Sequence, residues 1–118
     1  MGMYAHVAGW LELDEHALEK ALAIIRADID GVGDYTESWC VQTSGGGFSR
    51  HLFFGCTVRE SAVAELRAQV ARIASEAVSQ DGEVIDYPNG VFRVVYETEG
   101  MPTELLSVSR GAVQERRV

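Results

Sequence analysis

Three histidines and two cysteines are the side chains of this 118-residue sequence best suited to nucleophilic or metal chemistry. His6, His16 and His51 stand far apart, and no CxxC or HxxxH spacing joins them to each other or to Cys40 and Cys56. A zinc-type ligand set is therefore not expected. Cys56 and His51 differ by an odd number of positions within a segment that reads as strand, which places them on opposite faces. Cys40 and His51 are near neighbours if the chain turns back between them. That leaves one Cys–His pair of the kind that activates a thiolate.

Between them lies TSGGGFSRH, residues 43–51. A phosphate cradle needs its glycines at a helix N-terminus, and a P-loop adds a Lys-Ser/Thr pair. Here a strand-like run, FSRHLFF, follows with no lysine. The glycines are expected to turn a hairpin centred near 46–47, with Cys40 facing residue 53 and Cys56 too far along for a disulfide. Two free cysteines suit a reducing, cytoplasmic setting.

Ten basic against eighteen acidic residues give a net charge of −8. That sign disfavours direct nucleic-acid binding and suits a basic protein partner, although it also serves solubility. Asp28, Asp30, Asp34 and Glu37 cluster in one helix-to-strand connection. They are solvated surface or a docking patch for that partner. No apolar run approaches the ~18 residues of a membrane helix, and MGMYAHVAGW lacks the basic and long apolar stretches of a secretory signal. None of these residues assembles an active site. The expectation is binding without catalysis, metal or cofactor.

The elements that would position these residues follow from periodicity. YAHVAGWLEL, residues 4–13, reads as a strand with Val7, Leu11 and Leu13 on one face and His6, Trp10 and Glu12 on the other. Asp14 can cap a helix whose Ala17, Leu18, Ala21, Leu22, Ile25 and Ile29 recur at helical spacing, with Gly31 at its end. Residues 35–43 and 48–58 read as strands. Ser61 opens a second helix carrying Val63, Leu66, Val70, Ile73 and Ala77 on one side, with Glu65, Arg67, Gln69, Arg72 and Glu76 opposite. It is expected to end near Gln80-Asp81-Gly82. After a Tyr87-Pro88-Asn89-Gly90 turn, residues 91–98 and 105–109 are strands, and GAVQERRV is a polar tail.

The order β-α-β-β-α-β-β suits one α+β domain, residues 1–118, with an antiparallel sheet and both helices on one face, a ferredoxin-like two-layer sandwich. The other face would carry His6, Trp10 and Phe53, with Trp39 or Tyr87 as further candidates. That is more aromatic area than a solvated face needs, so it reads as an interface or a sheet-to-sheet dimer.

Over its whole length the sequence resembles the immunity protein 7 family, whose members neutralise polymorphic toxins passed between competing bacteria. The resemblance lies in Tyr4 followed by Gly9-Trp10, in Leu52-Phe53-Phe54-Gly55 with Arg59 and a helix after it, in Gly90-Val91-Phe92-Arg93-Val94, and in Val108-Ser109-Arg110-Gly111. It departs in having Ala8 where the family commonly has His, and Glu115-Arg116-Arg117 where an acidic tail is common. The resemblance implies a cytoplasmic protein that occludes a cognate toxin domain. Trp10, Asp28, Asp30, Asp34, Glu37, His51 and Phe53 are the expected contacts, on a monomer or homodimer. A small-molecule-binding regulatory domain of ferredoxin-like build is the alternative.

Overall fold

The computed structural model describes residues 3–28, 32–42 and 49–118, with side chains from Tyr35 onward in the second stretch. The alternating residues of Tyr4–Asp14 form β1, which sends Ala5, Val7, Leu11 and Leu13 into the core. Asp14 then caps α1, Glu15–Ala27, its carboxylate accepting from the His16 backbone N–H at 2.9 Å. Ala17, Ala21 and Ile25 are its buried stripe. Gly31, the expected helix end, lies outside the described residues, and α1 closes at Asp28.

A 3-10 segment, Val32–Ser38, leads into the three-residue strand β2, Trp39–Val41. The expected strand over 35–43 is thus 3-10 turn as far as Ser38 and strand at Trp39–Val41, and residue 43 lies outside the described residues. β3, Ser49–Arg59, pairs antiparallel with β2, Cys40 opposite Phe53, and the Gln42 N–H donates to the His51 carbonyl at 2.9 Å. That register is the expected one, although the glycines at 45–47 themselves lie outside the described residues.

A 3-10 turn, Glu60–Ala62, precedes α2, Val63–Ala74. Ser61 does not cap it, and the helix is shorter than its sequence suggested. The residues beyond form a separate hairpin, β4 at Val78–Gln80 and β5 at Glu83–Asp86. Asp81 and Gly82 both sit at positive φ, 53° and 81°, as a two-residue hairpin turn with the right twist requires. β6, Asn89–Tyr96, and β7, Glu104–Ser109, follow. The polar tail is a strand as well: β8, Ala112–Arg117, turns back on β7 through Arg110-Gly111, again both at positive φ.

The main sheet has six strands in the order β2-β3-β1-β6-β7-β8, and every neighbouring pair is antiparallel. Both helices cover the same face. Leu66, Val70 and Ile73 of α2 and the α1 stripe join Leu11, Leu52, Phe54, Phe92 and Leu106 in one core. This is a two-layer α+β arrangement. Among the described residues no helix is long and apolar enough to cross a membrane.

Two polar clasps lock the layers. Trp39, 9% exposed, packs on Phe54 and Phe92, and its indole N–H donates to Gln69 Oε1 at 3.1 Å. Gln69 passes its own amide N–H to Asp28 at 2.8 Å, and Arg72 donates to the same carboxylate. On the other side, Arg67 pairs with Glu104 and Glu115 at 2.6 Å each. Tyr96 donates its hydroxyl to Glu104 at 2.8 Å. Buried polar groups with partners hold their neighbours in one geometry, whereas the same groups unpaired would be costly.

Candidate functional site

The face away from the helices carries no covering layer among the described residues. Its side chains follow from the register. Trp10 of β1 stands opposite Phe53 of β3 and Val91 of β6, and Cys40 of β2 lies beyond Phe53 in the same row. Trp10 is 39% exposed and Phe53 46%. His51 stacks on Phe53 at 5.9 Å between ring centroids and lies 6.0 Å from Trp10. Its Nδ1 is 3.0 Å from Gln42 Oε1 and its Nε2 3.8 Å from Glu12. The three aromatic contacts expected from sequence therefore come together, as one cluster on the open face.

Trp39, a candidate for that face, lies instead in the core, because β2 begins at this residue and its side chain points inward toward Phe54. The Cys40–His51 pairing is not made either. The ring nitrogens of His51 face Gln42 and Glu12, and Cys40 is a free, exposed thiol opposite Phe53. Cys56 is also free. Among the described residues, no group of three His, Cys, Asp or Glu side chains converges as a metal site would.

The acidic residues part company. Asp28 is committed to Gln69 and Arg72, so its carboxylate works between the two helices. Glu37 is exposed in the 3-10 segment. Asp30 lies outside the described residues, as does the side chain of Asp34.

Beside the aromatic cluster, the open face sinks into a trough of about 620 Å³ lined by Ala8, Trp10, Phe53, Gly55, Arg93 and Leu105, among others. Ala8 is opposite both Gly55 and Arg93, and Leu105 is opposite both Arg93 and Arg116. These residues form the row next to Phe53–Trp10–Val91. Alternation along β1 and β6 implies which way each points, but the row appears only once the strand order is known.

The chain matches no family model, no curated protein and no solved structure. What its fold and site define is a class: a two-layer α+β domain with one sheet face covered by helices and the other open, apolar and aromatic.

Proposed function

We propose that this chain is an immunity protein, which binds a cognate polymorphic-toxin domain in the cytoplasm and occludes it without catalysis. The observation that carries the reading is the uncovered Trp10–Phe53–His51 cluster on the open face. Exposed aromatic area of this kind is what protein contacts use as anchors. The net charge of −8 would speed encounter with a basic toxin. The whole-chain resemblance to immunity protein 7 points the same way. We read the β-α-β-β-α-β part, whose strands lie in the order β2-β3-β1-β6, as a ferredoxin-like sandwich extended by β7 and β8.

Coexpression with the toxin domain encoded beside this gene tests the reading. Growth should be restored by the native chain and lost again with Trp10→Ser/Phe53→Ser, at equal levels of folded protein. Killing that continues in the presence of the native chain would sink it. So would a neighbouring gene product with no toxicity.

A further inference from the structure

Gly55 has no reason within the fold to be glycine. It lies in the middle of β3 outside the left-handed φ region, and a Cβ built on it would meet nothing within 4 Å. Gly9, Gly82, Gly90, Gly100 and Gly111 are explained. A Cβ at Gly9 would stand 2.3 Å from the Val91 carbonyl oxygen, and one at Gly90 1.9 Å from that of Trp10. Gly82, Gly100 and Gly111 are at positive φ. Glycine weakens a strand interior, and where nothing internal demands it, it marks a place that another backbone or a ligand approaches closely.

Its surroundings say what approaches. Gly55 stands opposite Ala8, so the two make a strip of sheet nearly bare of side chains. The row Phe53–Trp10 bounds it on one side. On the other, His6 Nδ1 lies 2.9 Å from Thr57 Oγ1. At one end is Arg93, the single charged residue lining the trough among the described residues. Its guanidinium has no hydrogen-bond or ion-pair partner among the described residues. The nearby acids on this face look elsewhere, Glu12 toward His51 and Glu97 toward His6. An acidic chain thus presents at this strip a cation that no described acid neutralises. A carboxylate is the group that completes it, by paired N–H···O bonds from the guanidinium.

We propose that this trough seats a protein segment of the partner, one that lays a large apolar side chain over Gly55 and Ala8 and places an Asp or Glu carboxylate on Arg93. A segment suits it better than a small molecule because the trough lies open along the sheet rather than enclosing its contents. The proposal rests on the open face being the contact surface. It adds that a partner basic overall contributes an acid at this point.

The test pans phage-displayed random dodecapeptides on the full chain carrying Cys56→Ala, so that the exposed Cys40 at the trough is the one thiol left to label. Recovered peptides should pair a large apolar residue with Asp or Glu one or two positions away and shield Cys40 from a maleimide. Their affinity should fall at least tenfold with Gly55→Gln, whose side chain fills the strip, and with Arg93→Glu. A Lys in place of the peptide's acid should restore binding to Arg93→Glu. Unchanged circular dichroism and urea midpoints keep folding out of the comparison. Peptides that need Trp10 but ignore both substitutions would overturn the trough and leave the open face standing. Failure to recover any Trp10-dependent peptide would overturn both. A concentration-dependent dimer abolished by Gly55→Gln would hand the trough to a second copy, against the proposal.

Discussion

The side-chain amide of Gln69 donates to the Asp28 carboxylate at 2.8 Å while its oxygen accepts from the Trp39 indole at 3.1 Å. One residue, 1% exposed, thereby ties α2 to the end of α1 and to the start of β2. Gln69→Ala leaves the indole N–H without its acceptor inside the core, takes a donor from Asp28, and opens a cavity. Together these should cost about 3 kcal/mol, or roughly 10 °C in Tm. Urea unfolding checks this, with a lower midpoint expected at unchanged slope. Asp28→Asn keeps an acceptor and loses only the partly exposed pairing with Arg72, so it should cost under about 1 kcal/mol.

Tyr96 gives the protein an alkaline signature. Burial first, then its hydrogen bond to Glu104 and the charge of that carboxylate, pushes its phenol above the ordinary tyrosine value. In the unfolded chain the phenol loses its proton near ~10, while in the folded chain it holds on to it. The unfolded state then binds fewer protons. The stabilising contribution is complete below that value and lost as pH rises through the folded one. Native protein should therefore lose stability above about pH 10 more steeply than Tyr96→Phe. Urea midpoints at a series of alkaline pH values decide it, and parallel slopes for the two chains would contradict it.

What the sequence made legible was whatever depends on near neighbours. Alternation along β1 sorted Val7, Leu11 and Leu13 inward and Trp10 outward, and helical spacing located α1 with its Asp14 cap. The Cys40–Phe53 register followed from counting across the glycines. What was hidden depends on distant partners. Gln69 is polar by type and its spacing groups it with the charged side of α2, yet Trp39 and Asp28 satisfy it inside. The strand β8 looked like a polar tail because its Glu115 owes its place to Arg67 on another element. In β4–β5 the Asp81-Gly82 turn resembled a helix stop, since a glycine ends helices and turns hairpins for the same conformational reason. The trough at Gly55 needed the order of three strands before Ala8 and Arg93 could be seen beside it.

Exposure separates the two tryptophans. Trp39 is held between Phe54 and Phe92, whereas Trp10 stands open beside His51. In Trp39→Phe the remaining emission should be readily quenched by acrylamide, and in Trp10→Phe it should be largely protected. Trp10→Ser and Phe53→Ser should each cost about 1–2 kcal/mol, less than truncating a fully buried aromatic, because the two residues are 39% and 46% exposed. Equal quenching in the two single-tryptophan chains would mean that the open face is covered in solution.

The glycines separate fold from function most sharply. Gly9 lies where β1 and β6 crowd together. A Cβ there would stand 2.3 Å from the Val91 carbonyl oxygen and 2.4 Å from the Phe92 ring. Backbone at that distance cannot yield without breaking the ladder, so Gly9→Ala should cost more than about 3 kcal/mol or prevent folding. At Gly55 the same substitution meets open space. It should stabilise the chain by about 0.5–1 kcal/mol, because alanine has less backbone freedom to lose on folding. Urea titrations of both variants beside the native chain should place the three midpoints in the order Gly9→Ala, native, Gly55→Ala. A Gly55→Ala chain less stable than the native one would return that glycine to the fold and remove the reason to look for something that approaches it.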